Sequence, residues 1–259
     1  MLIGAQLYSV CKQCRTPEDI KATLTAMKEM GYTSVQVSGF RYDAEELRSW
    51  TDELGLHIGL THTSVDEIIN NTDEVIRKHK ILGADMVGIG SPGPNYSNFQ
   101  THEIKIEEMM RDLAPAVKKI QEAGLLFGYH NHYFEFDDLG GYTFMDYLYE
   151  NTNWMFILDV AWVEFTGNSA IEMIKKYHDR LKYIHLKDLR AERETDESIV
   201  DRLVPLYNGE LDFDRIIATL KEYSNCEIAY VEQDNATNAE SPYGEMKTSI
   251  DNLRAHGHL

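Results

Sequence analysis

Residues 16–38 read TPEDIKATLTAMKEMGYTSVQVS, and this stretch sets the repeating unit of the chain. Thr16 can cap a helix through its side-chain oxygen, and Pro17 suits the first helical position. Glu18 and Asp19 place negative charge where the helix dipole favours it. The helix stops at Gly31, a residue free to adopt the left-handed cap. Ser34–Ser38 follows at once as a short apolar run with the look of a buried strand.

The same order recurs in both directions. Strand-like runs are read at Leu2–Leu7, Ser34–Ser38, His57–Thr61, Met86–Ile89, Leu125–His130, Met155–Asp159, Leu181–Leu186 and Ile228–Glu232. Between them lie helices: Asp43–Leu54 before Gly55, Thr72–Leu82 before Gly83, His102–Ala123 before Gly124, then Tyr142–Glu150, Ser169–His178, Asp212–Tyr223 and Pro242–Ala255. Strict alternation implies a parallel sheet with right-handed crossovers. The chain has 259 residues, and about 250 residues is typical of eight such units closed on themselves. The expected fold is therefore α/β, a single (β/α)8 TIM barrel over residues 1–259. An open doubly wound sheet would usually carry GxGxxG after its first strand; here the turn is Tyr8-Ser9-Val10-Cys11.

A formal charge of −18 repels a phosphate backbone, and no run of Lys and Arg offsets it. No nucleic-acid partner is expected. No apolar run approaches the ~20 residues of a membrane helix, and Met1–Gln6 lacks the features of a secretory leader. No membrane is expected, and the protein reads as cytoplasmic. Cys11 and Cys14 form a single CxxC, weak evidence for zinc and more simply two loop thiols. Cys226 reads as a small buried residue.

Barrel chemistry sits at the C-terminal strand ends. The polar residues there are Gln6, Tyr8, Gln36, Ser38, His62, His130, His132, Glu135, Asp159, His185, Lys187, Glu232 and Asp234. Glu135, Asp159, His185 and Glu232 fall on four consecutive strands. Three carboxylates in one buried cup would repel each other, and one divalent metal ion (Mn, Mg, Co or Zn) removes that conflict. The period of two puts Tyr183, His185 and Lys187 on one strand face, and Tyr230 with Glu232 on another. Glu135 lies five residues beyond His130, so a bend must return it; His130 or His132 is the alternative ligand.

At these residues the chain resembles the sugar-phosphate isomerase/epimerase superfamily with the xylose isomerase-like barrel. The likeness rests on Gly4-Ala5-Gln6-Leu7-Tyr8-Ser9, on Gly31-Tyr32 with Val35-Gln36-Val37-Ser38, and on Gly128-Tyr129-His130-Asn131-His132-Tyr133-Phe134-Glu135-Phe136. It continues in Leu158-Asp159-Val160-Ala161-Trp162, His185-Leu186-Lys187-Asp188 and Val231-Glu232-Gln233-Asp234. It implies a metal held by Glu135, Asp159, His185 and Glu232, with the two glutamates as paired acid and base. Ketose 3-epimerases of the superfamily carry a His where this chain has Trp162. The pattern looks more like the branch with inosose dehydratases and enzymes of keto-sugars. A homo-oligomer is a further implication.

The expected activity is isomerisation or epimerisation of a small carbohydrate, keto-sugar or polyol-derived ketone through an enediolate. Dehydration or lyase action of the inosose or 3-keto-glycoside type is the alternative. Glu232 or Glu135 takes the proton, and Lys187 steadies the oxyanion. Gln6, Tyr8, His62, His130, His132 and Trp162 are expected to contact substrate, with Trp162 as a wall for an apolar sugar face. The absence of an obvious phosphate loop leans toward an unphosphorylated substrate. Residues 190–201 read as a charged surface loop or lid. Rival classes are a DNA-repair endonuclease of the same fold and a non-catalytic sugar-binding barrel.

Overall fold

A computed structural model describes residues 1–98, 100–190 and 198–259. Eight parallel strands close into a barrel: β1 (Leu2–Gln6), β2 (Ser34–Val37), β3 (His57–His62), β4 (Met86–Ile89), β5 (Leu126–His130), β6 (Met155–Asp159), β7 (Tyr183–Leu186) and β8 (Ile228–Val231). Neighbours in sequence are neighbours in space, and β8 pairs with β1 through Leu2↔Ile228 and Ala5↔Val231.

Eight helices expected from the sequence pack around it: α1 (Pro17–Met30), α2 (Ala44–Leu54), α3 (Thr72–Leu82), α4 (Ile106–Glu122), α5 (Phe144–Asn151), α6 (Ala170–Lys176), α7 (Phe213–Tyr223) and α8 (Pro242–Ala255). The end signals of α1 act as read. Thr16 and Asp19 form a reciprocal capping box, and Gly31 takes φ +109°. The helix expected from His102 starts at Ile106 instead. His102 has φ +56°, and Glu103–Ile104 pairs with Ser97–Asn98 as a small antiparallel ribbon, so the chain cannot be helical there. Two short helices lie outside the alternation, Val65–Asn70 and Val160–Phe165. Residues 191–197 of the expected lid lie outside the described residues. Beyond them, Leu203–Val204 pairs with Asp188–Leu189.

The inner floor of the barrel is made by Leu60, Met86, Ile157, Tyr183, Ile228 and Tyr230, all buried. Two large tyrosines fit because glycines face them. A Cβ on Gly4 would lie 2.5 Å from the Tyr230 ring; one on Gly59 would lie 2.5 Å from the Tyr230 hydroxyl and 3.0 Å from Tyr183. The Tyr230 hydroxyl is held in place by Ser34 Oγ at 3.0 Å and the Gly59 amide at 3.2 Å. No described helix is long and apolar enough to cross a membrane.

His79 in α3 is sealed against β3. Its Nδ1–H donates to the Val75 carbonyl at 2.7 Å, so Nε2 accepts from the Thr61 hydroxyl at 2.9 Å. Burial pushes this imidazole down to about 4.

Two stability effects follow from these contacts. Gly59→Ala should lower stability by about 1–3 kcal/mol, the range for overpacking a filled core, seen as a drop in thermal midpoint; an unchanged midpoint would show that the floor can yield. His79 is neutral when folded, but unfolded it takes a proton near its ordinary value of about 6.5. The unfolded chain therefore binds more protons between pH 6.5 and 4. Its stabilisation is complete above 6.5 and falls as pH drops through that window, by on the order of 3 kcal/mol. Urea titrations of His79→Gln across this range should show a correspondingly shallower decline than the parent.

Candidate functional site

Four side chains meet at the C-terminal mouth: His130 from the end of β5, Asp159 from β6, His185 from β7, and Glu232 one residue past β8. All four are buried, and one ligand atom from each lies within 4.8 Å of the others. Pairing places Asp159 directly beside His185 and Tyr230 beside His185, so the period of two carries Glu232 to the same level.

The proton positions decide what these atoms can do. His130 Nδ1 is 3.2 Å from the Gly90 carbonyl, which can only accept, so this nitrogen carries the proton. Burial and the adjacent His185 push His130 down to about 4. At neutral pH its Nε2 is therefore a bare lone pair, facing Asp159 Oδ2 at 3.4 Å and Glu232 Oε2 at 3.8 Å. His185 Nε2 donates to Gln36 Oε1 at 2.7 Å, which turns Nδ1 toward the other three. That Nδ1 sits 2.8 Å from Glu232 Oε2. Asp159 commits Oδ1 to the amides of Ala161 and Trp162, capping the short helix 160–165, and turns Oδ2 inward. Asn131 clasps the Asp159 backbone on both sides. Two imidazole nitrogens and two carboxylate oxygens thus converge on one point. This donor set fits one divalent cation, with the second partners Gly90 and Gln36 fixing the two tautomers.

Lys187 lies beside the group, 1% exposed. Its Nζ is 2.8 Å from Asp159 Oδ2, 3.1 Å from Glu232 Oε2 and 2.8 Å from Asp234 Oδ2, and it stands 4.6 Å above the Trp162 ring. Burial opposes its charge, but Asp159, Asp234 and Glu232 hold its pKa well above the usual lysine range. Burial would also lift Glu232, but Lys187 and His185 keep that carboxyl well below the ordinary carboxylate range. Lys187 is therefore a fixed ammonium, and Glu232 a weak base.

Glu135 is not brought to the four. It is fully buried in a turn of 3-10 helix, where it accepts from the Tyr129 hydroxyl at 2.8 Å and from the His132 amide at 2.9 Å. The place expected for it is taken by His130. The reason is the strand's reach: β5 ends at His130, and the following turn folds Glu135 back beneath His132 rather than over the barrel. Glu135 Oε1 lies 3.8 Å from His132 Nδ1. Burial works to lower the His132 pKa, but the Glu135 carboxylate raises it above its ordinary value.

The other expected residues are all at the mouth. His62, His130, His132, Tyr8, Glu232 and Asp234 line a cavity of about 470 Å³. His62 packs 5.2 Å from His130 and 5.5 Å from His185, ring to ring. The Nε atoms of Gln6, Gln36, His62 and Trp162 are buried without a hydrogen-bond partner. Trp162 is 2% exposed and stacks at 6.2 Å on His132, so it is a wall behind the site more than a face open to ligand. Gln36 and Asp234 stand among the strand-end polar residues of the sequence, but their roles here, and that of Asn131, are not readable from it. Asp234 had a usable signal, since it continues the inward face of Tyr230 and Glu232. Asp188 is occupied elsewhere, accepting from the amides of Leu189, Gly209 and Leu211. Cys11, Cys14 and Cys226 are free thiols, and burial pushes Cys14 up to about 11.

Fold and site together define a closed (β/α)8 barrel with a buried His/Asp/His/Glu group at its mouth. The chain belongs to the xylose isomerase-like TIM barrel family, whose model matches residues 24–256. Inosose dehydratase of Clostridium perfringens is 30% identical over 185 residues, 60% of this chain and 60% of that protein. The match thus spans about three fifths of that relative's length. A sugar phosphate isomerase/epimerase from Parabacteroides distasonis superimposes with TM-score 0.78 at 21% identity, covering 99% of this chain and 94% of the other. The IolI protein with a bound zinc atom gives 0.73 at 14% identity, covering 98% and 97%.

Asp159→Asn should abolish binding of one equivalent of divalent metal, measured by competition with a chromophoric chelator. Gln36→Leu, which only frees the His185 tautomer, should weaken it by about 10–100-fold. Equal affinity in all three proteins would mean that the ion, if bound, sits elsewhere.

Proposed function

We propose that the protein is a divalent-metal-dependent enzyme that removes the proton beside the ketone of a small keto-sugar or inosose and then expels a β-hydroxyl as water. His130, Asp159, His185 and Glu232 would hold the cation. When bound, it polarises the ketone and makes the adjacent C–H acidic.

The remaining work falls to this chain's side chains. His132 faces the cavity with Glu135 behind it, and serves as the base that receives the α-proton. Glu135 is a positioning residue: its carboxylate lies 3.8 Å from Nδ1 and favours the protonated form of the ring. Lys187 stays charged and donates to the oxyanion of the enediolate. The enolate oxygen's electron pair then reforms the ketone, and the pair from the broken C–H bond becomes the Cα=Cβ bond as the β C–O bond breaks. The leaving hydroxide takes a proton to depart as water, and the product is an α,β-unsaturated ketone. Gln6, Gln36 and His62 offer buried polar atoms to the substrate's oxygens.

One observation carries elimination over epimerisation. Epimerisation by paired glutamates needs a carboxylate on each face of the substrate. Here β5 presents His130, and Glu135 is folded away from the mouth. The similarity to inosose dehydratases supports the same choice. Aldose–ketose isomerisation is the second reading, because His132 alone can return the proton to the adjacent carbon on the same face of the enediolate.

The test is incubation of metal-loaded protein with inososes, keto-sugars and 3-keto-glycosides in deuterated water. Enone absorbance and α-deuterium uptake should appear, and both should vanish on chelation. His132→Gln should cut turnover by about 10²–10⁴-fold, the usual worth of a general base. Glu135→Gln should shift the pH–rate profile to lower pH with a smaller loss. Deuterium uptake without enone would move the assignment to epimerase or isomerase; neither signal across the panel would end it.

A further inference from the structure

A second pocket opens beside the catalytic cavity and shares its wall. It holds about 480 Å³ and is lined by Phe40, Arg41, Tyr42, His62, Thr63, Ser64, Glu67, Val75, Lys78 and His79. His62, Thr63 and Ser64 line both spaces. His62 thus touches the ligand imidazoles on one side and the new pocket on the other.

The charge in this pocket runs against the rest of the molecule. The chain carries −18 overall, yet Arg41 and Lys78 both line this space. Among the described residues neither forms an ion pair. Carboxylates are close by, but Glu74 and Glu45 are both engaged by Arg77. The one carboxylate of the lining, Glu67, accepts from the Asn71 side chain at 2.9 Å. Two unpaired cations thus outweigh one carboxylate in a concave space, where low-dielectric walls strengthen their field. Lysine and arginine in such company normally find a carboxylate; here an anion from outside can complete the set.

We propose that this pocket is a subsite for an anionic group, phosphate or carboxylate, at the end of the substrate remote from the cation site. The inference rests on the keto-sugar reading given above and narrows it to acidic or phosphorylated members. Side chains, not a glycine-rich loop, hold the charge, so the site leaves no phosphate-loop motif in the sequence. His62 marks the turn between the reacting ketone and the charged end.

The experiment uses metal-loaded protein and the double variant Arg41→Gln/Lys78→Gln. Both residues are at least partly exposed and unpaired, so the variant should fold with an unchanged thermal midpoint. A neutral keto-hexose, its terminal phosphate and the matching keto-uronate are compared by α-deuterium uptake. The parent should show a KM at least tenfold lower for one or both anionic compounds. The double variant should lose that advantage while keeping kcat and the neutral compound's KM. Whichever anion gains more identifies phosphate or carboxylate as the source. Equal KM for neutral and anionic compounds in the parent, or a preference surviving in the variant, overturns the subsite and leaves the catalytic reading intact. If no compound exchanges, the catalytic reading fails, and calorimetry with inorganic phosphate decides the subsite alone. Binding that is weakened tenfold in the variant supports the subsite; no binding, or equal binding in both proteins, overturns it.

Discussion

His185 Nδ1 and Glu232 Oε2 face each other across 2.8 Å at the centre of the barrel mouth. Gln36 holds the imidazole so that its lone pair points inward, and Gly90 does the same for His130. Buried acceptors set against acceptors are costly unless a positive charge joins them. Lys187 supplies one such charge from the side, bridging Asp159, Glu232 and Asp234. A divalent ion at the centre would supply the other, as in the function proposed above. The barrel beneath is what makes this arrangement tolerable, because its parallel strands present these atoms on a rigid rim.

The architecture was legible because the local signals agree with one another. Thr16, Pro17 and Gly31 bound α1 by capping chemistry, and the apolar runs are too short to be anything but strands. Asp159, His185 and Glu232 were legible for the same reason: each ends or follows a strand at an inward position, and the period of two does the rest. His130 obeyed that rule as well. It ends β5 facing the mouth, whereas Glu135 fits the resemblance but not the spacing, and the structure follows the spacing.

What escaped the sequence depends on turns and on distant partners. The turn after β5 folds Glu135 under His132, and no periodicity describes a turn of 3-10 helix. The role of Gln36 comes from a residue 149 positions away. The start of α4 was placed too early because the acidic and basic residues after His102 look helical, while its left-handed backbone is set by packing on Tyr133 and pairing with Asp137.

The tyrosines of the barrel floor have a consequence for traffic. Tyr183 and Tyr230, seated against Gly59 and Gly4, plug the channel below the histidines. With the far end stoppered, the cavity at the mouth is the way in among the described residues. Under the proposed function, each product would have to back out through the mouth, past Tyr8 and the Ser91–Pro94 lip, before a fresh substrate could enter.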